Sequence, residues 1–255
     1  MGNLLNGLTN AYYSVVNVFK KGKAAKTEFY APIYEDTFSN GMLNDAIWSK
    51  VGPSAAAWCK HASKDDDLFE FTENGLRLHA IKTKDAYRTA AITTAGKLDI
   101  VKGKIEVVAR MQNCPHSWHA IWMYGENNAE LNAESEVDLS ECLHDGYTFQ
   151  TIHTAHLHQK TGTGSTWRAM LKPENWNTFT CEIDDYSVRL YVNGQKTKEF
   201  FNDGDGHYGF ADDANPMKVI LSAQLGGGWP GWPDDDDEMA GWIEIKSFKA
   251  WRALN

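Results

Sequence analysis

The chain has 255 residues, enough for one large all-β domain or two small ones, and no Pro-, Gly- and Ser-rich linker or visible repeat divides it. Its 34 acidic residues outnumber 25 Lys and Arg, giving a formal charge of −9, which excludes a nucleic-acid backbone or an anionic membrane surface as the principal partner. Hydrophobic residues make up 42% of the chain, enough for a sizeable core, and no run approaches the roughly 18 apolar residues of a membrane-spanning helix.

In residues 1–27, Leu4, Leu5, Leu8, Tyr12, Val15, Val16 and Phe19 recur close to the 3-4-4 helical period. The spacing predicts a short amphipathic helix that docks on the domain or on a partner. No cationic start, apolar stretch and small-x-small site follow one another there, so the segment does not read as a secretion signal.

Residues 28–255 are expected to form one domain. Apolar and polar residues alternate along Gly75–Ile81, Gly103–Met111 and Ser187–Val192, and the last of these runs into Asn193-Gly194, the strongest short hairpin signal. Further strands are predicted over Pro216–Gln224 and Trp242–Trp251. Short strands at this spacing, with no long helical period after residue 25, predict a sandwich rather than an α/β fold. Cys59, Cys114, Cys142 and Cys181 show no C-x-x-C spacing, so a structural zinc site is not expected; buried thiols and one or two disulfides are the two readings. Ten Trp and ten Tyr are many for this length. Some fill the core, and others, clustered near Gly and Asp, suit the apolar C–H faces of pyranose rings.

Ser135-Glu136-Val137-Asp138-Leu139-Ser140-Glu141 is the most informative segment. On a regular strand Glu136 and Asp138 share one face, while Glu141 points with the apolar set. A single β-bulge near Ser140 restores the parity and puts Glu141 on the acidic face. The two glutamates then stand about four rungs apart, roughly 13 Å between backbones, and side chains leaning inward reach the ~5–5.5 Å carboxyl separation of a retaining glycosidase. An exposed acidic strand and a cluster of oxygen ligands for calcium are the bland alternatives.

The segment resembles the E-x-D-x-x-E catalytic strand of glycoside hydrolase family 16, and the likeness extends along residues 34–251. Asp36-Thr37-Phe38 with Trp48, Thr89–Thr94, Lys102–Glu106, His119-Ala120-Ile121-Trp122-Met123, the His-bearing Thr151–His156, the Ser187–Gly194 hairpin and Leu221–Gly231 follow the family's landmarks in order. The resemblance implies a jelly-roll β-sandwich of two antiparallel sheets with a concave substrate cleft, here carrying the short N-terminal helix. It also implies that Glu136 is the nucleophile, Glu141 the general acid/base and Asp138 the group that tunes the pair. Trp118, Trp122, Trp229 and Trp232 are candidates for sugar binding, and His156 for a sugar hydroxyl or for Glu141. Ala133-Glu134-Ser135 stands where laminarin-cutting members carry a Trp, and Lys102 where the family has Tyr. The six-residue acidic motif looks like the laminarinase, agarase, porphyranase and carrageenase branches.

The expected activity is a retaining endo-hydrolase of β-linked polysaccharide, either β-1,3-glucan or a marine-type galactan. A transglycosylase and a non-catalytic glycan-binding adhesin on the same fold are the alternatives. No metal or cofactor is required for the chemistry; the acidic run Asp234–Glu238 reads as a solvated loop or as a structural calcium site. Such a substrate implies action outside the cell or on a cell or virion surface.

Overall fold

The computed structural model describes residues 29–112, 114–143, 146–157 and 165–254. The N-terminal segment 1–27 and its predicted helix lie outside the described residues. One compact unit spans Tyr30–Ala253, and it is built from two sheets in which every strand pair of described register is antiparallel.

The first sheet places β14 (Gln195–Phe201), β13 (Ser187–Val192), β12 (Asn177–Ile183), β7 (Gly103–Met111), β16 (Met239–Leu254), β4 (Gly75–Lys82) and β3 (Phe69–Thr72) side by side. On it, β1 (Phe29–Asp36) pairs with β16 and β5 (Tyr87–Thr89) with β4. The second sheet runs β11 (Ser165–Met170), β10 (Tyr147–His153), β9 (Glu136–Cys142), β8 (His119–Gly125), β15 (Met217–Ser222), β6 (Ala91–Thr93) and β2 (Ser49–Lys50).

The inner faces of both sheets meet in one core. Leu76 and Leu78 of β4, Ile105 and Val107 of β7, and Ile243 and Ile245 of β16 pack in the same cluster as Ile121 and Met123 of β8, Val137 and Leu139 of β9, and Val219 and Leu221 of β15. Burial alternates strictly along β7, as a strand with one face to the core and one to solvent requires. The predicted strands Gly103–Met111 and Ser187–Val192 form with those bounds. Asn193 and Gly194 both take positive φ, 51° and 76°, so the β13–β14 turn has the left-handed pair that its sequence announces.

The C-terminal strand departs from the simple alternation. β16 slips register against β7 between Ile245 and Ser247, so the extra residue Lys246 re-phases the strand and Phe248 and Ala250 become the inward side chains. All four cysteines stand as thiols, three of them buried.

Candidate active site

β8 and β9 are buried on both faces, unlike β7. Their inner face belongs to the core, and their outer face lines a cleft of ≈ 540 Å³. Register builds that outer face as a grid. Tyr124 of β8, Glu136 of β9 and His153 of β10 lie on one rung, with Lys218 of β15 beyond Tyr124. Trp122, Asp138 and Thr151 form the next rung with Ile220, and Ala120, Glu141 and Phe149 the third with Ser222. Ala120, Trp122 and Ile220 make a small apolar floor against which Trp58 and Tyr124 pack.

The acidic strand reaches this grid through a bulge. Ile121 and Trp122 are adjacent on β8, but their partners are Ser140 and Asp138, so Leu139 is the extra residue; β10 slips against β9 over the same stretch. The consequence is the predicted one. Val137, Leu139 and Cys142 enter the core, while Glu136, Asp138 and Glu141 all line the cleft.

Each carboxylate has its own surroundings. Glu141 is 8% exposed and accepts Trp118 Nε1–H at 2.9 Å and the Thr151 hydroxyl at 3.3 Å. Asp138 is 3% exposed. His153 Nε2 lies 3.2 Å from Asp138 Oδ2, an ion-pair distance without hydrogen-bond alignment, and 4.0 Å from Glu136 Oε1. Glu136 has the most solvent-accessible side chain of the three, at 28%.

Burial dominates their electrostatics. It pushes the Glu136 carboxyl up to about 8, with the like charge of Asp138 adding to the rise and His153 opposing it. Asp138 is raised well above the usual carboxylate range by burial and then by the charge of Glu141. Glu141 is raised by burial, against the hydrogen bonds from Trp118 and Thr151 and the charge of His153. All three acids are thus shifted upward, because burial around one imidazole withdraws them from the water that would stabilise their charges.

Hydrogen bonds hold the start of the acidic strand in place. Asn128 grips the Ser135 backbone in both directions, at 3.1 Å to its N–H and 3.1 Å to its carbonyl, and Asn215 Nδ2 donates to Asn128 Oδ1 at 2.9 Å. Ser135 Oγ donates to the Gly209 carbonyl at 2.5 Å. On the other flank, Gly227 sits at φ +147°, where a Cβ would come within 2.6 Å of the Trp118 ring that reaches Glu141.

The sequence candidates divide into two groups. Trp118 and Trp122 line the cleft with the three acids. Trp229 stands at its edge, 45% exposed, with its ring edge-on to Trp118 at 6.2 Å and to Phe149 at 4.6 Å. Trp232 does not line the cleft; it packs edge-on to His61 and Tyr87, with Lys60 Nζ 5.6 Å from its ring. His156 also lies apart from the acids. β10 ends at His153, so it is His153 that completes the grid, while His156 stacks on His207. The sequence reading missed Trp58, on the 3₁₀ turn Ala57–Cys59, whose ring meets Trp122 edge-on at 4.9 Å. It also passed over Phe149, Thr151 and His153, whose period-two spacing on a strand facing the acidic one was the available signal. The run Asp234–Glu238 is not among the groups of described residues whose ligand atoms gather within 4.8 Å; Lys82 Nζ instead donates to the carbonyls of Asp235 and Asp237.

Residues 58–244 match the family model for glycosyl hydrolases family 16. The chain belongs to this family. Among family 16 proteins and their neighbours, it is 26% identical over 217 residues to a keratan-sulfate endo-1,4-beta-galactosidase of Sphingobacterium multivorum, covering 80% of this chain and 51% of that protein. It is 25% identical over 166 residues to a beta-glucanase of Rhodothermus marinus, covering 60% of this chain and 57% of that one. The chain thus spans about half the length of the curated relatives it matches. The catalytic domain of an endo-1,3-beta-glucanase (laminarinase) from Thermotoga petrophila RKU-1 superposes with a TM-score of 0.76 at 25% identity, covering 90% of this chain and all of that one. The jelly-roll sandwich expected from the sequence is therefore the fold of this family 16 chain.

Proposed function

We propose that the protein is an endo-acting glycoside hydrolase that cleaves β-linked polysaccharide by double displacement. The observation that carries this reading is the β9 bulge, which turns Glu136, Asp138 and Glu141 onto one cleft face above an aromatic floor. A glycan-binding module has no use for two buried carboxylates and a half-buried third held against one another at this cost in desolvation.

In the proposed reaction a Glu136 oxygen attacks the anomeric carbon as the glycosidic C–O bond breaks and Glu141 gives its proton to the leaving oxygen. The glycosyl ester on Glu136 is then hydrolysed by a water whose proton returns to Glu141. Attack requires Glu136 as the carboxylate. Asp138, the more deeply buried acid, can hold the proton itself and offer it to Glu136 only as a hydrogen bond, which leaves Glu136 ionised beside a protonated Glu141. Trp122 and Trp58 offer apolar surface to the sugar rings, and Trp229 extends it. No metal or cofactor enters these steps. The substrate is a β-1,3-glucan or a β-linked galactan, in keeping with the endo-1,3-beta-glucanase and the keratan-sulfate endo-1,4-beta-galactosidase that the chain resembles. Polymers of this kind place the enzyme outside the cell or on a surface.

The test is oligosaccharide release from laminarin, mixed-linkage glucan, agarose, porphyran, carrageenan and keratan sulfate by the parent and by Glu136→Gln. Release by the parent alone, with the first-formed anomer retaining the β configuration by NMR, supports the proposal. An inverted anomer refutes double displacement, and equal release by the variant refutes the role of Glu136.

A further inference from the structure

Outside the cleft, two segments far apart in sequence bring together a second constellation. His156, just past the end of β10, and Asp205 and His207, on the loop before Phe210, each present one ligand atom, and all three atoms lie within 4.8 Å of one another. The loop is held in shape locally. His207 N–H donates to Asp205 Oδ1 at 2.9 Å, and His207 Nδ1 lies 2.5 Å from Asp205 Oδ2. The His156 and His207 rings are stacked, with centroids 3.7 Å apart and 10° between planes.

We propose that His156, Asp205 and His207 form a binding site for a divalent transition-metal ion of the zinc type. Two imidazoles and one carboxylate are a borderline-soft donor set that suits Zn²⁺ over Mg²⁺ or Ca²⁺, which prefer all-oxygen cages. Three protein ligands leave the fourth tetrahedral position to water. Parallel rings do not yet aim both nitrogen lone pairs at one point. Holding one ion requires the rings to turn about their Cβ–Cγ bonds, and the side chains of Asp205 and His207, 41% and 45% exposed, are open enough to turn. The ion ties the loop to the end of β10, three residues from His153. The same loop already accepts the Ser135 hydroxyl through Gly209, immediately before Glu136. The site is thus a clasp between the end of β10 and the loop that holds Ser135, separate from the carboxylates that the proposed chemistry uses.

The experiment is calorimetric titration of the intact chain with Zn²⁺, beside thermal melts, for the parent and for His156→Ala, Asp205→Asn and His207→Ala. The expected result is one equivalent bound by the parent, a Tm that climbs with the logarithm of free Zn²⁺ above Kd, and binding at least tenfold weaker in each variant. Ca²⁺ and Mg²⁺ are expected to produce neither effect. Absence of saturable Zn²⁺ binding by the parent overturns the proposal. So does binding of equal strength in the three variants, which would put the ion elsewhere, as on Glu136, Asp138 and His153. Melts without metal show whether each variant is folded before its titration is read.

Discussion

Trp118 donates its indole N–H to Glu141 Oε1 at 2.9 Å, so the cleft wall and the proposed general acid are one hydrogen-bonded unit. Trp118→Phe keeps most of the ring and removes the donor. A hydrogen bond to a charged acceptor contributes about 1.5–3 kcal/mol, equivalent to a rate factor of about 10–150. The bond counts most once Glu141 has given up its proton and is an anion, so the loss is expected in kcat rather than KM. An unchanged kcat, measured on whichever glycan the parent cuts, would remove Trp118 from the chemistry.

His153 is the imidazole of the acid cluster, 3.2 Å from Asp138 and 4.0 Å from Glu136, and its charge lowers both Glu136 and Glu141. Removing it lets both carboxyls rise. A nucleophile must be ionised, so the acid limb of the rate profile moves to higher pH; a general acid must be protonated, so the alkaline limb moves the same way. His153→Gln is therefore expected to displace the whole bell of kcat/KM towards alkaline pH and to lower its maximum. A bell that stays in place while its height falls would assign His153 to packing alone.

The reach of the sequence can be judged from these same residues. Parity along Glu136–Glu141 demanded a bulge, because a regular strand would have driven Glu141 into the core, and that conflict between pattern and chemistry is visible without coordinates. The bulge at Lys246 carried no such conflict. Either phase of Trp242–Trp251 offers apolar residues to the core, so alternation alone gave no reason to interrupt it. His153 and His156 lie on opposite faces of an extended strand, and which of them meets the acids depended on the place where β10 stops; strand ends are where local pattern is weakest. Trp58 and the Asn128–Ser135–Asn215 clamp depend on contacts between residues distant in the chain. Tertiary packing creates those contacts, and no spacing within one segment encodes them.

Trp229 is an exposed indole braced edge-on by Phe149 and Trp118. Nearly half its surface faces solvent, so it contributes little to the core, and its orientation is fixed by neighbours at the cleft edge. A rigid aromatic face of this kind suits a sugar ring bound beside the scissile linkage. Trp229→Ala is expected to leave Tm within about 1–2 °C of the parent, as for surface changes within ~0.5 kcal/mol. KM for a polymeric substrate should rise several-fold, consistent with the ~0.5–1.5 kcal/mol of an aromatic contact beyond its area. A variant with unchanged KM and lowered Tm would make Trp229 a structural brace.

Glu136 links the site to stability. Its carboxyl stands at about 8 in the folded chain against an ordinary 4.5. Between those values the folded state holds a proton that the unfolded state has released, so folding stability falls as pH rises from about 4.5 through about 8. Glu136→Gln has no charge to bury and relieves Asp138 of a like neighbour. Its melting temperature should match the parent's below pH 4.5, pull ahead through the window, and keep a constant lead above pH 8. At roughly 2–4 °C per kcal/mol for a chain near this size, a lead of several degrees at pH 9 is expected. Paired melts at pH 4, 6, 7.5 and 9 decide the matter. A difference that does not change with pH would mean that the carboxyl titrates alike in the folded and unfolded chain, and that the cluster does not carry its proton into the neutral range.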